Sequence, residues 1–387
     1  MTGDELPIGR RVARWRVRRS MTQQMLADRV RRSKSWVDKV ERGVRTLDRY
    51  SVIQELAAVL RVDPEVLLGP DRPPPSATAG PLDGVDGIRA ALARYDIPQA
   101  PAQEVDELRR QVGHAWLTYQ HAHYAQLVRV LPGLLDAAQG ARSPELLVQA
   151  YRICSSVLVK LGEPDLGWLA ADRAMAVAGD DPVLAATAAV SVGQALRGLG
   201  RDRLALAVTA AAADRMVNAL RRPVGELAVG GTLLLQAALA AAGCGEGGRA
   251  EALTVRAAGV AEVFKGYDDP HRNCFGPVAV ELARVVVAVE LGDGREAVQR
   301  HVAMLRREAW RRLPAEYRGA YLVDAARAYL QVGDLRGAAR ALVDADSAAP
   351  AEVRCRPLAR TVIAEVARGH PAPAGVARLA TLVGLTR

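Results

Sequence analysis

One pattern recurs four times and limits the folds open to this chain. "LVKLGEPDLGWLAADRAMAVAGDDP", "ALRGLGRDRLALAVTAAAADRM", "VELGDGREAVQRHVAML" and "LQVGDLRGAARALVDADSAAP" each run from Leu or Val through Gly and a polar turn into an Ala-rich helix. Gly162 is followed by Gly200, and Gly292 by Gly333, a period of roughly 40 residues that stacked helical hairpins produce. Such hairpins bury their apolar faces only against their neighbours, and small Ala residues let paired helices approach closely. Aromatic residues make up only 4% of the chain while 50% is hydrophobic, so burial must come from Ala, Leu and Val. These are good helix residues, and the expected fold class is all-α, with an α-solenoid as its larger part.

The stretch "GPDRPPPSATAGP" interrupts this texture near the N-terminus. Three consecutive prolines and small polar residues cannot continue a helix and favour an extended connector. The expected organisation is a head over residues 1–69, a Pro-rich linker over 70–81 and a helical repeat domain over 82–387.

The head reads as five short helices. Ile8, Val12 and Trp15 recur at helical spacing. Thr22 is placed to cap a second helix with Leu26, Ala27 and Val30, and Ser33 to cap a third with Val37 and Val40. Ile53, Leu56, Ala57 and Leu60 mark a fourth, and Asp63-Pro64 starts a short fifth. The spacing from Thr22 to Gly43 fits a helix-turn-helix whose second helix exposes Lys34, Ser35, Asp38 and Lys39, with Gln23 and Arg42 flanking it at phosphate height.

The charge is placed accordingly. The chain carries +9, and the first seventy residues hold 15 Lys and Arg against 9 Asp and Glu. A clustered basic field suits a polyanion, since each neutralised phosphate releases counterions.

The run "TQQMLA" with "SKSWVDKVERG", followed by "LAAVLRVDPEVLL", resembles the phage-repressor-like (xenobiotic-response-element type) helix-turn-helix domain over residues 8–68. The resemblance implies that Lys34, Ser35 and Lys39 read base edges of double-stranded DNA and that Gln23 and Arg42 contact phosphates, and Arg31 and Arg32 are expected to contact phosphates beside them. The family usually has Gly where this chain has Arg31, and Glu where it has Met25. Arg in a left-handed turn costs roughly 1 kcal/mol, which a bundle can absorb. The repeats resemble degenerate tetratricopeptide repeats, and the whole chain resembles actinobacterial regulators that join a repressor-like head to such an array.

A solenoid of hairpins presents a concave surface lined by the first helix of each pair. Polar residues are sparse on those helices: Thr187, Ser191 and Gln194, then Thr232 and Gln236, then Arg284, then Arg318 and Tyr321. These residues, with Asn273 in the polar loop "YDDPHRNCFGP", form a candidate effector groove. The wider resemblance implies a short peptide or a small molecule as effector. Receptors of that kind commonly hold a peptide backbone through Asn side chains, and this chain has only Asn218 and Asn273.

Catalytic readings find little support. "GCGEGG" matches G-x-G-x-x-G but follows an Ala/Leu helix and no strand, so the phosphate cradle is missing. His271 and Cys274 with Asp268 lack a second cluster to complete a metal site, and His121 and His123 are expected on different faces of one helix. No enzyme, cofactor or metal is expected. Cys154, Cys244, Cys274 and Cys355 are widely spaced, and the charged N-terminus has no secretory core, which points to reduced thiols in the cytoplasm. Leu227 to Gly243 is too short and too interrupted by Gln236 to span a bilayer comfortably, so no membrane partner is expected.

Two functions remain open. One is an effector-responsive transcription regulator, acting as a homodimer whose heads read half-sites about 10 bp apart. The other is a repeat-type interaction scaffold whose basic head lacks specific readout.

Overall fold

The computed structural model describes residues 7–19, 21–45, 47, 50–60, 62, 67, 84–94, 103–141, 143–217, 224–263, 269, 271–369 and 375–385. The Pro-rich stretch 70–81, most of the expected fifth head helix, and Asn218 lie outside them. Among the described residues every regular element is a helix. The head contains α1 (Ile8–Arg18), α2 (Gln23–Arg29), α3 (Lys34–Glu41) and α4 (Tyr50–Leu60). The array runs through α5 (Val85–Ala93), α6 (Val105–Gln120), α7 (Tyr124–Gly140), α8 (Pro144–Lys160), α9 (Pro164–Ala178), α10 (Pro182–Gly198), α11 (Asp202–Val217) and α12 (Val224–Gly243). It continues with α13 (Gly247–Val263), α14 (Pro277–Leu291), α15 (Gly294–Leu305), α16 (Glu308–Arg311), α17 (Ala315–Gln331), α18 (Leu335–Ala348), α19 (Pro350–Arg354), α20 (Pro357–Ala367) and α21 (Val376–Leu382).

In the head, the expected caps form. Thr22 Oγ1 accepts from the Met25 amide at 3.1 Å, and Ser33 Oγ accepts from the Trp36 amide at 3.1 Å, satisfying donors that a helix start leaves open. Arg31 in the turn has φ 50°, the left-handed conformation expected of it. Val12, Leu26, Ala27, Val37, Val40, Ile53, Leu56 and Leu60 close one core. Each large aliphatic side chain among them stabilises by about 1.5–3 kcal/mol. Glu41, from the "ERG" run, ties three helices together: Arg16 donates to both its oxygens at 2.6 and 2.9 Å, and the Gln23 amide donates at 2.9 Å. Gly9 lets α1 cross α3, because a Cβ there would lie 2.0 Å from the Val40 carbonyl oxygen.

In the array, α8–α9, α10–α11, α12–α13, α14–α15 and α17–α18 are successive antiparallel hairpins. The glycine of every first-to-second helix turn is left-handed: Gly162, Gly200, Gly245, Gly292 and Gly333 all have φ between 70° and 85°. Gly245 belongs to "GCGEGG", which is therefore a hairpin turn. The window Gly225–Gly243 of α12 is long and apolar enough to cross a membrane, yet 72% of it is buried inside the array, where it forms a core helix. His121 and His123 do not share a helix as expected. They end α6 and begin α7, and their rings stack at 5.9 Å.

Candidate nucleic-acid interface and ligand cavity

The two flanks of α3 meet different surroundings. On one, Lys34 and Ser35 are exposed, as are Arg31 in the turn and Arg42 at the end, where Arg42 pairs with Asp38 at 3.0 Å in solvent. This flank keeps the predicted readers and phosphate contacts available, with the short Ser and long Lys side chains that suit base edges.

The other flank faces the array. Arg32, expected at a phosphate, is only 7% exposed: its guanidinium donates to Asp202 Oδ2 at 3.0 Å, to the Gly243 carbonyl at 2.7 Å and to the Gly200 carbonyl at 3.0 Å. Lys39, expected at a base, donates from Nζ to the Leu291 carbonyl. Arg45 pairs with Glu290 at 2.7 Å, both ends buried. Trp36 lies beneath the Arg32 and Arg45 guanidinium groups, 5.6 and 5.7 Å from its ring centre, and is buried. In this arrangement Arg32 and Lys39 are both bonded to the array.

The physical reason lies in the array's edge. Gly200, Gly243 and Leu291 stand at the C-terminal ends of α10, α12 and α14, where carbonyls lack intrahelical partners and the helix dipole is negative. Asp202 and Glu290 add full charges beside them. The edge thus offers head cations a row of oxygens, as a phosphate backbone does. Close approach requires the turn glycines: a Cβ on Gly245 would lie 3.0 Å from Ser33 Oγ, and one on Gly292 would lie 3.2 Å from Val44 Cγ1.

Gln23 is also more occupied than expected, its amide nitrogen held by Glu41 as described. Nothing in "TQQ" alone announces this.

Behind this edge the array encloses a cavity of about 1130 Å³. Gln194, Gln236, Tyr321 and Asn273 line it, with Ser191 and Thr232. Gln236 accepts from Arg197 Nη1 at 3.1 Å. Arg284 and Arg318 are absent from the lining, and Arg284 pairs with Glu281 at 2.6 Å on its own helix. Thr187 likewise turns back to the Leu184 carbonyl at 2.8 Å. The loop before α14 is no plain connector. Arg272, Asn273, Cys274 and Phe275 all reach the cavity, and Phe275 packs so closely on α12 that a Cβ at Gly231 would stand 2.1 Å from its ring. The described residues hold no cluster of three metal-ligating side chains, and Asp268 of the trio read from the sequence lies outside them.

Sequence reasoning missed the cavity's ionic wall. Lys160 Nζ bridges Glu316 at 2.5 Å and Glu352 at 2.9 Å, and Arg327 joins Glu290 at 3.1 Å to Asp324 at 2.9 Å. Lone charges inside otherwise apolar helices, as in "YRICSSVLVK", are the signal that marks them, since a buried charge needs a partner. Glu290 is shared, one oxygen on Arg327 at the cavity and the other on Arg45 of the head. Glu55 of α4 also borders the cavity, and burial raises its carboxyl above the usual range.

A family model described as a helix-turn-helix domain matches residues 7–68. No curated protein matches the chain. Among solved structures it is similar to Bacillus thuringiensis PlcR in complex with the peptide PapR7 and DNA, at 10% identity and a TM-score of 0.38, over 78% of this chain and 99% of that one. Residues 7–68 thus form a helix-turn-helix head, joined to an array of helical hairpins.

Proposed function

We propose that this protein is a sequence-specific DNA-binding transcription regulator whose helical array binds an effector, a peptide or a small molecule, and restrains the head when none is bound. The observation that carries this reading is the double use of one flank of α3: Arg32 and Lys39, cations suited to DNA, are held by carbonyls and carboxylates of the array. DNA and the array edge compete for the same side chains, so the docked head is the weak DNA binder. Released, Lys34, Ser35 and Lys39 read bases while Gln23, Arg31, Arg32 and Arg42 face phosphates. Glu290 couples the two sites, because a ligand that shifts Arg327 at the cavity also disturbs the carboxylate holding Arg45. Homodimerisation would set two heads on half-sites about 10 bp apart. The reaction is binding, with no enzymatic step.

The test is random-site selection and quantitative DNA binding with the full chain and with the doubly substituted Asp202→Asn, Glu290→Gln variant. Selection should return an enriched sequence, and the variant should bind it about tenfold tighter, the scale of weakening two charge-assisted bonds that hold the docked head. A pool with no enrichment would sink the regulator; an enriched site bound equally by both proteins would sink the restraint alone.

A further inference from the structure

Three of the cavity's cations are paired with carboxylates of the chain itself. Lys160 has two carboxylates, Arg327 has two, and Arg356 stands 3.5 Å from Glu352. Arg152 differs. It projects from α8 into the cavity lining with 3% exposure, and no carboxylate among the described residues lies within ion-pair distance of it. Its guanidinium rests over Trp116, 5.3 Å from the ring centre, and Nη2 donates to the His271 carbonyl at 2.9 Å and to Asn273 Oδ1 at 3.0 Å. Its Nε is buried without an acceptor, and so is Asn273 Nδ2 beside it. Asp269, the acid that acts on Arg152 through space, already accepts the Asn273 and Cys274 backbone amides at 3.0 and 2.7 Å.

A buried guanidinium hydrogen-bonded only to neutral acceptors has its charge offset only in part, here by Asp269 through space, and buried N–H groups without acceptors add a desolvation penalty. Burial lowers the Arg152 pKa to about 10, which leaves it cationic at neutral pH. A carboxylate meets both needs, because its two oxygens accept several N–H donors at once and cancel one charge. Beside its polar and charged residues the cavity is lined by Trp116, which the Arg152 guanidinium covers, and by Tyr119, Phe275, Leu235 and Val286.

We propose that Arg152 and Asn273 form the anchor for a carboxylate on an effector whose remaining body is largely apolar. This rests on the reading of the cavity as the effector site. A free small acid and the C-terminus of a peptide share this chemistry.

The experiment titrates the full chain by calorimetry and thermal shift with paired probes. Phenylacetate, indole-3-acetate and octanoate are compared with their amides, and random heptapeptide pools with free C-termini are compared with amidated pools. In at least one panel the acid should bind about tenfold or more tightly than its amide, the scale of a charge-assisted bond in a desolvated site; which panel does so separates the two sources. Arg152→Gln should remove the acid preference. Asn273→Asp, which supplies the missing carboxylate from within, should remove it too while raising the melting temperature of the unliganded protein. Equal binding of acid and amide, an acid preference that survives both substitutions, or no acid bound from either panel overturns the anchor. Hydrogen exchange with the bound probe separates the two readings. Protection confined to helices other than α8, α10, α12, α14 and α17, which line the cavity, overturns the cavity as effector site, whereas protection on those helices without acid preference overturns the anchor alone.

Discussion

The two flanks of α3 carry similar chemistry and meet opposite fates. Lys34, Ser35 and Arg42 stay in solvent, while Arg32, Lys39 and Arg45 are fixed by oxygens of the array. The difference is set by depth. A solvated cation gains little from a surface pair, as with Arg42 and Asp38, whereas a cation removed from water requires a full set of acceptors. Arg32 has such a set: one carboxylate and two helix-terminal carbonyls. The comparison teaches that basic character in a helix-turn-helix head can be satisfied internally; under the proposed function, affinity for DNA then measures a competition.

The strongest way to break the comparison is to remove Arg32. Arg32→Ala leaves Asp202 buried without its cation, a loss of about 3–5 kcal/mol for a broken buried pair, whereas Lys34→Ala should change stability by less than about 0.5 kcal/mol. Chemical denaturation of the full chain measures both. Equal, small effects would mean that the docked flank is solvated in solution.

Acid probes the array side of the same contact. His301 on α15 packs against Tyr321 and bonds its hydroxyl at 2.9 Å, and burial lowers its imidazole pKa to about 4. An unfolded histidine titrates near 6.5, so the neutral native form contributes its full stability above that pH. As pH falls from about 6.5 towards 4, the unfolded chain takes up the proton first and up to about 3 kcal/mol is lost. Since α15 pairs with α14, which carries Glu290 and Leu291, acid should loosen the seat of the head before the head's own core. Hydrogen exchange at pH 7 and pH 5 should show earlier opening in α14 and α15 than in α4. A His301→Gln variant with the same pH dependence as the wild type would remove His301 as the cause.

On DNA the flanks should separate by mechanism. Lys34→Ala should relax preference at one base position by roughly 1–3 kcal/mol. Lys39→Ala should lose a similar base contact but also free the head from Leu291, so its net effect in the full chain should be smaller than the effect of Lys34→Ala. Competition binding against single-base operator variants measures this, and identical losses would show that Lys39 is not restrained.

How much of this was legible follows from where each signal resides. The caps Thr22 and Ser33, the apolar pins Val37 and Val40, and the left-handed Arg31 are local, and local spacing revealed them. Gly162, Gly200, Gly292 and Gly333 were legible as turns for the same reason. Gly245 was not, because it sat inside a motif that resembles a nucleotide loop. The fates of Arg32 and Lys39 depend on acceptor oxygens 168 to 252 residues away in sequence, and no pattern near either residue announces them. The cavity was half legible: Gln194, Gln236 and Tyr321 line it, whereas Arg284 and Arg318, polar residues on the same kind of first helix, do not. Arg152 is a single charge in an apolar helix, and only the folded array reveals that its surroundings supply neutral acceptors.

The smallest effect gives the cleanest comparison. Gly245 and Gly333 occupy equivalent turns with φ 82° and 78°, so an alanine at either incurs the same left-handed strain, about 1 kcal/mol. Their surroundings differ. Beyond Gly333 no atom lies within 4 Å of a Cβ, whereas at Gly245 the Cβ meets Ser33 Oγ at 3.0 Å. That oxygen caps α3, and moving it a few tenths of an ångström disturbs the cap and the approach of Trp36. Both variants should therefore melt a few degrees lower, and only Gly245→Ala should also speed amide exchange at residues 33–45 and strengthen DNA binding. If Gly333→Ala did the same, the turn's strain would be acting through the whole array and the head would not be sensing the edge it rests on.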